Sequence, residues 1–147
     1  MEDYLNEIKS NIDVYIKAVS GKKAKDILII DLRGLSYIAD FFVICTGMSS
    51  RQVSSVGEFI LYELKKADIK PLGFEGIAEG HWVLLDYTDV VIHVFYEPIR
   101  TFYNLEGLWP DARKIRITSD SDGLIVYEVD NKHNENIYKK FKTEIIL

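Results

Sequence analysis

The chain has 147 residues, 48% of them apolar, with 23 acidic against 18 basic side chains and a formal charge of −5. That length fits one domain burying roughly 68–70% of its unfolded surface, enough for a core without disulfides. The acidic balance excludes broad binding to a phosphate backbone, which needs clustered Lys and Arg, and suits a basic partner instead.

The elements follow in chain order. Residues 2–19 carry Leu5, Ile8, Ile12, Tyr15, Ile16 and Val19 at three- and four-residue spacing, which predicts a helix ending near Gly21. The basic run Lys22, Lys23 and Lys25 reads as its solvated end. Residues 26–32 (DILIIDL) and 39–46 (ADFFVICT) read as neighbouring strands joined by a turn at Arg33-Gly34 and Ser36. Cys45 lies in the second strand; alone, it can form no internal bridge, and it reads as a buried thiol in a reducing compartment. Ser49 opens a helix to about Ala67, with Val53, Val56, Ile60 and Leu64 inward and Gln52 placed to complete a capping box. A loop rich in Gly and Glu (FEGIAEG, residues 74–80) precedes two back-to-back strands, and a short helix is expected from about Pro98 to Gly107. Beyond Asp111 the pattern suggests a hairpin around a Ser-Asp-Ser-Asp-Gly turn. The polar last stretch reads either as mobile or as helical on contact. The expected division is a domain over residues 1–115 and an extension over 116–147. The element order predicts a mixed α/β (α+β) fold, a mixed sheet flanked by helices.

The strand pair over residues 82–95 is the most informative segment. With Thr88-Asp89 as a two-residue turn, Tyr87 pairs with Val90, Leu85 with Ile92 and Val83 with Val94 on one wholly apolar face. The other face sets Asp86 against Val91, Leu84 against His93 and Trp82 against Phe95. A second apolar face bearing a Trp, a Phe and isolated polar groups has the anchor-and-polar composition of a protein interface. Glu75 and Glu79, on the neighbouring loop, supply charge to steer a basic partner. For Trp82 itself, composition leaves core burial and interface anchoring both open.

Catalytic signals are weak. CTGMSSRQV (residues 45–53) runs strand, Gly-Ser, helix, but lacks the lysine and spacing of a P-loop and the glycines of a dinucleotide fingerprint. A nucleotidyltransferase would need paired carboxylates, and the candidates Asp86 and Asp89 point to different faces in this register. His81, His93 and His133 show no metal-ligand spacing, so no metal or cofactor is expected. Trp82 and Trp109 lack the interleaved cations of a nucleic-acid platform, and Trp109 reads as core. No stretch approaches membrane-spanning length, and the acidic residues Glu2, Asp3 and Glu7 stand where a signal peptide would be basic. The expected location is therefore the cytoplasm.

Three motifs together, residues 39–53 (ADFFVICTGMSSRQV), 71–76 (PLGFEG) and 81–109 (HWVLLDYTDVVIHVF followed by RTFYNLEGLW), make the chain resemble the ribosomal silencing factor (RsfS, or Iojap-like) family. The resemblance runs from the first helix to about Arg113. It implies a fold related to nucleotidyltransferases without their metal-binding carboxylates, and a non-enzymatic protein. Such a protein would dock on the large-subunit ribosomal protein numbered fourteen at the intersubunit face and keep the small subunit from joining, repressing translation when nutrients run short. It also implies a homodimer off the ribosome. The alternatives are a nucleotide-binding transferase and a purely self-associating scaffold. Thr88 departs from the family's common Gly in the hairpin turn, which puts the register in question.

Overall fold

The computed structural model describes residues 2–130. Its elements are α1 (Glu2–Ser20), β1 (Lys25–Asp31), β2 (Phe41–Gly47), α2 (Ser50–Lys66), β3 (Gly73–Glu75), β4 (Trp82–Asp86), β5 (Val90–Tyr96), α3 (Glu97–Tyr103), a 3-10 turn (Leu105–Leu108), β6 (Arg113–Ser119) and β7 (Ile125–Val129). The strands form one mixed sheet in the order β3-β4-β5-β2-β1-β6-β7, with β2 and β5 parallel and every other neighbouring pair antiparallel.

Period-3.6 spacing puts Ile8, Ile12, Ile16 and Val19 of α1 and Val53, Val56, Ile60 and Leu64 of α2 against one face of the sheet, where they are buried. Two tyrosines fasten α1 to the strands: Tyr4 donates to Asp31 at 2.8 Å and Tyr127 to Asp13 at 2.8 Å. Ser49 caps α2 as expected, its Oγ accepting the Gln52 N–H at 3.1 Å. The return bond of the box lands one residue earlier, with Gln52 Oε1 accepting the Met48 N–H at 2.6 Å. The lysines at 22, 23 and 25 are exposed, as a solvated helix end requires.

The hairpin register is the one read from alternation: Trp82↔Phe95, Val83↔Val94, Leu84↔His93, Leu85↔Ile92 and Asp86↔Val91. Thr88 does not break it. The residue adopts φ +74°, and Asp89 N–H bonds the Tyr87 carbonyl at 3.0 Å, a γ-turn, while Asp86 Oδ1 accepts the Thr88 N–H at 2.8 Å. A β-branched residue is strained there, so Thr88→Gly should raise stability by about 1 kcal/mol. A urea midpoint shifted upward would show it; an unchanged or lowered midpoint would mean that the greater unfolded-chain entropy of glycine offsets the relieved strain, since the Asp86 bond to the backbone N–H is kept in both proteins.

Three expectations need correction. The loop read over residues 74–80 contains β3, which pairs Phe74 with Leu85 and Glu75 with Leu84 and forms one edge of the sheet. The helix expected to Gly107 stops at Tyr103; Asn104, at φ +46°, turns the chain into the 3-10 segment. The boundary at 115/116 falls inside β6, which pairs with β1 over five residues and with β7, so the start of the supposed extension is part of the same sheet. Residues 131–147, with their expected mobile or helical stretch, lie outside the described residues.

Candidate interaction surface

Alternation along β4 and β5 sends Trp82, Leu84, Asp86, Val91, His93 and Phe95 to the face opposite α1 and α2. There they meet Leu28, Ile30, Phe42 and Ile44 in a second, smaller apolar layer. Ile99, Leu105 and Trp109, from α3 and the segment after it, pack over that layer. The eight residues expected to contact a partner therefore separate. Phe95, His93 and Val91 are only 0%, 3% and 5% exposed, covered by this chain, and cannot touch a partner in this conformation. Trp82, Leu84 and Asp86, one strand nearer the edge, are half-buried, and Glu75 and Glu79 are exposed. The cause is the crossing of α3: it closes over β5 and β2 but leaves β4 at the margin.

Trp82 links the two zones. Its ring lies 4.7 Å from Phe95 and 5.0 Å from Tyr103, and its indole N–H donates to His93 Nδ1 at 3.1 Å. His93 sits between Phe42, at 4.6 Å, and this indole, and burial drives its pKa down to about 4, so the ring is neutral. With Nδ1 accepting, Nε2 carries the proton, and Nε2 is buried with no hydrogen-bond partner. The indole is thus fixed from beneath while its outer side stays open. By register Glu75 is the cross-strand neighbour of Leu84 on this face, so a carboxylate lies directly beside the apolar strip.

Sequence reasoning missed Phe102 and Tyr103, which are 80% and 53% exposed and pack edge to face at 5.1 Å beside Trp82. A signal was present. Adjacent residues on a helix cannot share one face, so two consecutive aromatics in a seven-residue helix require at least one to point outward. Trp109, read as core, is half-buried edge-on against Phe42 at 5.2 Å, and its carbonyl accepts the buried Lys114 Nζ at 2.7 Å.

A polar recess of about 470 Å³ lies where the parallel strands β2 and β5 end, the place where α/β folds hold ligands. Arg100 occupies it, donating to the Thr46 hydroxyl at 2.7 Å, the Asp26 carbonyl at 2.6 Å and Glu106 at 3.3 Å. The guanidinium is therefore engaged in holding α3 to β1 and β2. Asp86 is likewise occupied by its turn, and no three metal-type ligands converge among the described residues. Burial pushes the Cys45 thiol up to about 12, against a small opposing pull from Arg100, which leaves it an inert core group. No described helix is long and apolar enough to cross a membrane.

A family model described as ribosomal silencing factor during starvation, RsfS, matches residues 5–144. The chain belongs to that family. Ribosomal silencing factor RsfS of Bacillus subtilis (strain 168) is 42% identical over 104 residues, covering 71% of this chain and 88% of that one. The chloroplastic protein Iojap of Zea mays is 36% identical over 110 residues, 71% of this chain and 46% of the plant protein. A crystal structure of a Chromobacterium violaceum protein superposes with a TM-score of 0.66 at 35% identity, covering 69% of this chain and 85% of the other. The RsfS match continues through β6 and β7, well past the limit near Arg113 drawn from the motifs.

Proposed function

We propose that this protein docks on the large ribosomal subunit through the Trp82–Leu84–Asp86 margin of its sheet. On this reading it keeps the small subunit from joining and so represses translation under nutrient limitation. Membership of the silencing-factor family supports the reading, and the observation that carries it is the half-open indole of Trp82 beside Glu75. The partner is a basic protein of the intersubunit face, the one numbered fourteen, met by an acidic chain with Glu75 and Glu79 exposed for steering. Inhibition is steric and needs no bond made or broken. The protein works in the cytoplasm and forms a homodimer away from the ribosome. The buried trio Val91, His93 and Phe95 acts from below, shaping the surface rather than touching the partner.

Sucrose-gradient sedimentation tests this directly. Wild-type protein should travel with isolated large subunits and reduce the joined-ribosome peak when small subunits are added. Trp82→Ala should stay folded, losing about 1–2 kcal/mol of stability with its contacts on Phe95 and its bond to His93. Docking should weaken by about 2 kcal/mol or more, roughly thirtyfold in Kd. A folded Trp82→Ala that pelleted with large subunits as strongly as wild type would remove the anchor from this reading.

A further inference from the structure

The nine-residue connection between β1 and β2, residues 32–40, places three large apolar side chains in solvent. Leu35 is 48% exposed, Ile38 66%, and Tyr37 is fully exposed. Such a tip could be a loose loop, but its backbone is closed. Leu32 N–H bonds the Asp40 carbonyl at 2.8 Å, Leu35 and Ser36 N–H bond the Leu32 carbonyl at 2.9 and 3.1 Å, and Ser36 Oγ accepts the Ile38 N–H at 3.2 Å. At its foot, Asp40 and Phe41 N–H both bond the Asp89 carbonyl, at 2.9 and 3.0 Å, tying the loop to the β4–β5 turn. The tip is thus ordered without burying its own apolar groups. A partner that covered them would gain the apolar area without the entropic cost of arranging the loop.

The loop lies beside the surface already described. Leu32 and Ala39, which bracket the tip, belong to the same second layer as Trp82 and Leu84, and Asp86 closes the turn whose next residue, Asp89, holds the loop. Asp40, Asp86 and Asp89 therefore rim one end of the sheet, and none of the three is ion-paired with a cation among the described residues. Three carboxylates that meet no cation among the described residues, set around apolar side chains, repel a phosphate backbone and attract lysine and arginine.

We infer that the Leu35–Ile38 tip is a second docking element, inserted into an apolar recess on a basic protein surface of the large subunit while Asp40 and Asp89 meet cations at its rim. The inference rests on the docking reading above and extends it to a separate end of the sheet. The test is co-sedimentation of the full chain with isolated large subunits. The Tyr37→Ser/Ile38→Ser double variant should weaken binding roughly tenfold or more with no change in melting, because neither side chain touches the core; Ile38→Ser alone should show a smaller loss should the double variant unfold. Asp40→Lys/Asp89→Lys should also weaken binding, most at low salt. Serine variants that bound within twofold of wild type while Trp82→Ala lost binding would overturn the loop's role and leave the docking reading standing. Lysine variants that bound more tightly would identify ribosomal RNA as the neighbour and overturn it too. Serine variants that lost only a dimer, with subunit binding intact, would assign the tip to a second copy. Wild-type protein that failed to sediment with large subunits would instead sink the docking reading itself.

Discussion

Phe95→Ala should cost about 3–5 kcal/mol of stability, the range for deleting a fully buried aromatic ring. Phe95 is 0% exposed and is among the largest fully buried side chains. It stands in the smaller of the two apolar layers, where the covering elements are short: α3 has no buried residue and reaches the layer through half-buried Ile99. A void here has few neighbours that can move in to fill it, because β5 and β2 are held in register by the parallel ladder and Trp82 is tethered to His93. Urea denaturation would register the loss as a lower midpoint at similar slope. The contrast with Trp82→Ala is the informative part. The Trp82 change should weaken docking more than folding, and the Phe95 change the reverse when docking is measured where the variant is still native. A Phe95→Ala protein that unfolded like wild type yet lost docking would mean that Phe95 meets the partner, with α3 displaced.

The difference between those neighbours marks how far the sequence could be read. Alternation determined which residues share a face, because one residue of slip would have turned Val83, Leu85, Ile92 and Val94 away from the layer they form with α1 and α2. The strained Thr88 could not outweigh that burial, so the register held with a residue poorly suited to its turn. What covers a face is a different kind of fact. It depends on where α3 crosses after Tyr96, and nothing in the local pattern of residues 97–109 sets that crossing. Hence Phe95 and His93 looked like surface anchors while α3 buries them. β3 escaped notice because three exposed residues carry no periodicity, and it forms only by pairing with β4. The alternating pattern of β6 and β7 was visible, but not that β6 would take the open edge of β1. The Trp82–His93 bond was within reach: in the expected register the two are diagonal neighbours on one face, close enough for long side chains to meet.

Acid should destabilise the protein well above the range where carboxylates titrate, and His93 is the cause. Burial lowers its pKa to about 4 in the folded chain, against about 6.5 when unfolded. Above pH 6.5 the ring is neutral in both states and contributes no pH dependence. Between 6.5 and 4 the unfolded chain binds a proton that the native state refuses, so stability falls with pH by about 1.4 kcal/mol per unit, or about 2 kcal/mol from pH 7 to pH 5. Asp31 and Asp13 act in a lower window. Burial alone would raise both carboxyls, but hydrogen bonds from Arg33 and Tyr4 to Asp31, and from Lys17 and Tyr127 to Asp13, prevail and hold them below the ordinary value. Their stabilisation is present above the unfolded pKa near 4 and is lost only as pH drops further. His93→Gln separates the windows, since glutamine can still accept from the Trp82 indole and does not titrate. Urea midpoints should fall between pH 7 and pH 5 in the wild type and stay level in the variant, whatever its absolute stability. Protonation of the folded chain, which sets in only near pH 4, should also break the Trp82 bond by filling Nδ1, so native Trp82 fluorescence should hold steady from pH 7 to pH 5 while the midpoint falls, and shift only near pH 4. Equal slopes in the two proteins would mean that His93 is reached by solvent and titrates normally, and that the second layer is not closed as described.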